Sequence, residues 1–309
     1  MPDGDAPAAI PVLRCGAIAR EILADAGETR VLAVFERSFY LACPRGIVCI
    51  GTADIGAGPI NVEVALPIGV TWPQLGVMPD AEGETSGSTC RIGDGFALAV
   101  DAGATWFPPP LPDFDAARVA GGVARLRACV RPLELPDEGL ACLIFEAADH
   151  RKSLDRTARA AQVPMATLSR AIPRALAADA WSPDALQAAT LLVGLGPGFT
   201  PSGDDVLGGL MLALTAAGRT TLRDALWRAL RPELDDLTVP ASAMHLSAAA
   251  DGMGSESVHL LLNAILLDTS DVGPRLGVVA RIGHTSGWDC LVGLVLGLEA
   301  AASPAIPPS

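Results

Sequence analysis

Two short stretches in the C-terminal half carry residues whose types and spacing suit ligand binding and acid–base chemistry. Residues 194–205 read GLGPGFTPSGDD, and residues 283–289 read GHTSGWD. Each leads into an apolar run, Val206–Leu214 and Cys290–Leu298. Shifting the chain by 84 positions superposes Ser202 on Ser286, and eight of the thirteen positions from 202 to 214 are then identical. The matches include Ser202/Ser286, Gly203/Gly287, Asp205/Asp289 and Gly209/Gly293. The bland account of the polar matches is a capping box, in which Ser accepts from an early backbone N–H and the acid three positions on reaches back. It accounts for Ser202, Asp205, Ser286 and Asp289 without any ligand.

Capping leaves a surplus. Gly194, Gly196, Gly198 and Gly203 surround two prolines in one loop, an arrangement that brings backbone N–H groups close to a solute. A helix N-terminus with free N–H groups suits an anion. The expected binding positions are Gly196, Gly198, Thr200, Ser202 and Gly203, with Thr285, Ser286 and Gly287 from the second stretch. His284, Asp205 and Asp289 are the acid–base candidates, because imidazole and carboxylate can move protons near neutral pH. Asp204 and Asp205 side by side offer oxygen to a hard cation such as Mg2+. No Gly-Lys-Ser/Thr follows the loop, and its glycine spacing is not that of a dinucleotide fingerprint. Glu256 and His259 could share a helix face, but they lack the partner pair that a metal needs.

For these residues to meet, the helices after them must pack as a pseudo-symmetric pair with both N-termini at one end. Gly209 and Gly293 read as their close-packing positions. Upstream, Ala116–Val130, Leu154–Ala161, Met165–Ala178 and Pro183–Val193 have helical spacing. Thr221–Leu230, Ser242–Ala250 and Ser257–Leu267 continue the pattern. Before residue 110 the texture differs. Residues 9–26 read as a short helix, then Val31–Phe35, Ser38–Leu41 and Ile47–Ile50 as hairpin strands. Asn61–Leu66 reads as another strand, and Arg91–Val100 completes the β-rich part. Three consecutive prolines, 108–110, mark the boundary. The expected class is α+β: a β-rich N-terminal domain (1–110) packed on a helical domain (111–309) that carries the Gly-rich loops and a pseudo-symmetric pair of buried apolar helices.

Composition narrows the function classes. Apolar residues make up 50% of the 309, aromatics only 4%, so the core must be aliphatic. A net charge of −13 without a basic block opposes nucleic-acid binding. Seven cysteines without metal spacing read as reduced thiols. Met1–Asp5 is acidic, unlike a signal peptide, and both apolar runs fall short of the roughly 20 residues that cross a bilayer. The expected setting is cytoplasmic, with no membrane partner.

The 194–205 and 283–289 blocks resemble the signatures of a bacterial domain family that includes the small subunit of oxamate carbamoyltransferase, from anaerobic allantoin degradation. The resemblance extends to Ser242, Gly252 and Glu256, and more loosely to Val31–Phe39 and Gly58–Asn61. It implies a subunit acting in a hetero-oligomer with two larger proteins, in the exchange of oxalurate plus phosphate with oxamate plus carbamoyl phosphate. Two other readings stand beside it. One is a metal-assisted hydrolase of a small amide or phosphate, using Asp204, Asp205, Asp289 and His284. The other is a non-catalytic assembly module in which the loops are structural.

Overall fold

The structure, a computed structural model, describes residues 9–145 and 154–303; the acidic start Met1–Asp5 lies outside them. The chain forms two compact units, Met1–Pro108 and Pro109–Ser309. Together they make an α+β protein, as the sequence pattern predicts.

The first unit is a curled nine-stranded sheet with order β8-β7-β6-β2-β3-β4-β5-β1-β9. Its strands are β1 (Val12–Gly16), β2 (Gly27–Val34), β3 (Ser38–Cys43), β4 (Gly46–Thr52), β5 (Asn61–Val64), β6 (Glu82–Thr85), β7 (Thr89–Ile92), β8 (Phe96–Ala99) and β9 (Ala104–Trp106). A bridge between Ile10 and Leu98, with Ile10 N donating to Ala97 O at 2.7 Å, ties the β8 end of the sheet to the residues just ahead of β1. Alternation in β3 turns Phe39 and Leu41 into the core. There Phe39 meets Trp72 and Phe96 edge-on, with ring centroids 5.1 and 5.4 Å apart. Glu63 of β5 is buried and takes two hydrogen bonds from Arg14 of β1, at 2.7 and 2.9 Å.

The helix expected over residues 9–26 is corrected. Val12–Gly16 is a strand, and helix α1 starts only at Ala17 and ends at Ala24. The bond needs of the sheet override the helical spacing: β1 pairs with β5 on one side and β9 on the other.

The second unit is helical: α2 (Ala116–Val130), α3 (Arg156–Ala178), α4 (Pro183–Thr190), α5 (Ser202–Ala216), α6 (Thr220–Leu230), α7 (Leu234–Leu237), α8 (Pro240–Ala250), α9 (Glu256–Leu266), α10 (Val272–Val279) and α11 (Ser286–Ala302). The two helices expected across 154–178 are one. Pro164 and Pro173 lie inside α3, whose buried stripe of Met165, Leu168, Ile172 and Ala175 continues past both. A stretch left without an expectation, Val272–Val279, is helical.

The apolar helices α5 and α11 are buried and lie against each other. A Cβ on Gly209 would stand 2.1 Å from Cys290 O, and one on Gly293 would stand 1.9 Å from Val206 O. Since 206 and 290, like 209 and 293, are equivalent under the 84-residue shift, the contact is reciprocal, as a local two-fold requires. Gly297 approaches Ala213 further along, so the helices run in the same direction and both start at one end.

Candidate functional site

At that end the two loops meet. Thr200 Oγ1 and Ser286 Oγ are 2.8 Å apart and share a hydrogen bond. Neither serine caps its helix. Pro201 and Thr285 hold the cap positions, and neither gives a side-chain cap bond. The capping-box account is therefore replaced by exchange across the two-fold. Asp205 on α5 is stabilised by the Ser286 hydroxyl, and Asp289 on α11 by those of Ser202 and Thr285.

Both acids are held above the usual carboxylate range. Burial is the main cause for each. For Asp205, pushed well up, the charge of Asp289 is the next cause. For Asp289, the Leu140 N–H and the Ser202 hydroxyl pull the other way. Asp289 is fully buried. Its Oδ1 accepts from Leu140 N at 2.6 Å, while its Oδ2 and the Oδ2 of Asp205 are both buried without a hydrogen-bond partner. The nearby serine hydroxyls thus favour the charged forms without closing a well-formed bond on either Oδ2.

Asp204 behaves differently. Its Oδ1 accepts from Gly194 N at 2.8 Å, and its Oδ2 accepts from Ser242 Oγ at 2.6 Å and from the Thr238 hydroxyl. Burial raises its pKa, and these three donors draw it back. The carboxylate ties the start of the Gly-rich loop to the start of α8 (Pro240–Ala250), and its oxygens are engaged by the protein itself. It does not fit the role of a cation ligand beside Asp205. Among the described residues, no group of three or more His, Cys, Asp and Glu is placed to hold a metal ion.

The amides divide into two sets. Most of those in the first turns of the helices are spent inside the protein. Gly203 N donates to Leu195 O, Asp204 N and Asp205 N to Pro201 O, Gly287 N to Ile282 O, and Asp289 N to Thr285 O. Others are not: among the described residues, the N–H groups of the loop residues Gly196, Gly198, Thr200 and Thr285, and of Ser286 at the first position of α11, have no protein acceptor. Gly196 holds φ at +125°, and a Cβ there would press on Ser202 N at 2.8 Å, so only glycine gives this loop its path. The donors offered to a ligand therefore come from the loops and from Ser286, the first residue of α11.

His284 lies outside the cluster. It is exposed, with Nε2 3.8 Å from Glu138 Oε2. His259 is buried in α9, and its Nε2 accepts from Gly254 N at 3.0 Å, a core-edge role. Sequence reasoning missed Gly139 and Leu140, which cover the start of α11. Gly139, at φ +86°, leaves room for Asp289, whose carboxylate a Cβ would meet at 2.9 Å. It also missed Thr238. The glycine after Pro136-Asp137-Glu138 was a turn signal, but nothing local ties it to a residue 150 positions away.

A helical unit built around a duplicated, glycine-packed helix pair with confronting loops is the class that fold and site define. The model of the family described as oxamate carbamoyltransferase subunit AllH matches residues 192–298, from just ahead of the first loop into α11. This match supports the family and bears out the resemblance that the two loops carry. The looser likeness at Val31–Phe39 and Gly58–Asn61 lies outside the matched span. No solved structure matches the chain. Among the described residues, no helix is long and apolar enough to cross a membrane.

Proposed function

We propose that the chain works as a subunit of a carbamoyltransferase-type complex, and that its 194–205 and 283–289 loops bind a small anionic substrate carrying an amide, such as oxamate. The free loop amides would hold the anionic end, since preorganised N–H donors stabilise charge without reorganising. Larger subunits of the same complex would supply the rest of the machinery. The observation that carries this reading is the Thr200–Ser286 hydrogen bond, which joins the two loops inside the segment matched by the family model. The metal-assisted alternative loses support because both oxygens of Asp204 already accept from protein donors. The assembly-module alternative draws on most of the helix-start amides being satisfied internally.

The test is phosphate release from carbamoyl phosphate and oxamate by the chain mixed with its larger partner subunits. Release that needs this chain and falls at least about tenfold in Ser286→Ala is the expected outcome, a loss equal to one good hydrogen bond in the transition state. Ser286→Ala with unchanged turnover would favour the assembly module. No release in any mixture would remove the proposal.

A further inference from the structure

Within its Ser-Gly-x-Asp start, the pseudo-repeat differs at one position. Under the 84-residue shift Asp204 corresponds to Trp288. Each is buried at the third residue of its helix. Trp288 packs edge-on against Phe145, with ring centroids 6.2 Å apart. A helix start of this kind therefore needs no carboxylate there. Asp204 is only 2% exposed, and among the described residues no Arg, Lys or His pairs with it. A buried carboxylate without a counter-ion is costly, and its three donors are what offsets that cost.

The loops ahead of the two helices differ as well. Gly287 N reaches back five residues to Ile282 O, whereas Gly203 N reaches back eight to Leu195 O. The first loop is thus three residues longer, and a longer loop has more conformations to lose. Asp204 adds a second rung at its base. Its Oδ1 accepts from Gly194 N at 2.8 Å, one step outside the rung between Leu195 and Gly203. Thr238 and Ser242 hold its Oδ2. Gly194 itself lies against Leu237 O, which a Cβ would meet at 1.7 Å, so the base is clamped to the turn ahead of α8. Beyond the rungs, a Cβ on Gly198 would meet nothing within 4 Å, so the tip of the loop faces open space. We infer that Asp204 is a positioning residue for ligand binding by the first loop, with Thr238 and Ser242 holding its carboxylate in place. Both its oxygens face protein donors, so it acts through the loop. It keeps the free amides of Gly196, Gly198 and Thr200 in one arrangement before a ligand arrives, which spares part of the ordering cost of binding. This rests on the reading of the loops given under the proposed function, and it gives a role to Ser242, which reaches the loop through Asp204.

Calorimetry of the full chain with oxamate tests it, because Kd and stoichiometry separate positioning from folding. Asp204→Leu, close in size but without an acceptor, is expected to raise Kd at least about tenfold with the stoichiometry unchanged. Asp204→Asn, whose amide oxygen still accepts from Gly194 N, should stay within about threefold of the wild type. Ser242→Ala, which keeps the carboxylate but removes one of its donors, should fall between the two, and it carries the test where Asp204→Leu does not fold. A merely structural Asp204 would lower the stoichiometry as part of the chain unfolds and leave the Kd of the remainder unchanged. That result, or a wild-type Kd in Ser242→Ala, would overturn the inference. A complex that turns over, with a chain whose oxamate Kd ignores these substitutions, would sink this inference alone. Binding that depends on Asp204 in a chain whose complex releases no phosphate would sink the proposed activity alone. No binding of oxamate by the wild-type chain would overturn both.

Discussion

At the scale of single residues, the buried polar groups of the helical unit fall into satisfied and strained kinds. Asp204 is satisfied: three donors from three places in the chain converge on it, and it locks the first loop. His259 sits between the kinds. Burial lowers its pKa to about 4, and its Nε2 must stay unprotonated to accept from Gly254 N. A histidine whose folded pKa lies below its unfolded value of 6.5 binds fewer protons folded than unfolded between those values. Its neutral form therefore supports the fold fully above about pH 6.5, and that support is lost as pH falls toward 4. The depression is worth about 3 kcal/mol. Urea titrations at pH 7 and pH 4.5 should show the wild type losing more stability than His259→Gln, whose amide oxygen can still accept. Equal losses in the two proteins would show that His259 is not the group responsible. The acid pair pulls the other way: with its pKa raised, Asp205 favours the fold most at low pH, and its contribution declines as pH rises.

At the scale of elements, the glycines of α5 and α11 decide whether the two loops can meet. With Gly209 and Gly293 each against a backbone carbonyl, the helices approach closely enough for Thr200 to reach Ser286. A methyl at 293 would stand 1.9 Å from Val206 O, a backbone atom that cannot turn aside. Gly293→Ala should therefore cost about 1–3 kcal/mol or more as an overpacked core, against a gain of up to about 1 kcal/mol in helix propensity. Chemical denaturation of the variant would measure the difference, and a more stable Gly293→Ala protein would refute the close packing. This pairing was legible in the sequence because a repeat displays itself: the 84-residue shift aligned both glycines and both Ser-x-x-Asp groups. The direction of the hydrogen bonds was not legible. A Ser three residues before an Asp has the same spacing whether it caps its own helix or crosses to a neighbour, and only the tertiary approach distinguishes the two. Leu140 and Thr238 left no signal either, since the carboxylates they serve lie 149 and 34 positions away. In the sheet, local alternation disclosed the hairpin strands. The short β1 stayed hidden, because Ile10, Leu13, Ile18 and Ile22 satisfy helical spacing equally well and its partners lie some 50 and 90 residues further on.

At the scale of the whole molecule, every residue of the candidate site belongs to the second compact unit, Pro109–Ser309. The described part of that unit has its own core, running from Val119 on α2 through the buried faces of α3, α5, α8 and α9 to Leu298 on α11. No described member of this cluster comes from the sheet. A unit of this size buries roughly 70% of the surface its unfolded chain exposes, enough for independent stability. The fragment from residue 109 to 309 should therefore fold alone, and its urea unfolding should be a single cooperative transition with a slope of about 1–3 kcal/mol/M. It should also bind oxamate as the full chain does, because the loops, the acid pair and the Gly139–Leu140 cover all lie within it. A fragment that unfolds without cooperativity would show that the sheet unit contributes to this core after all. One that folds well but no longer binds oxamate would move the binding groups out of the helical unit, while leaving its autonomy as a folding unit intact.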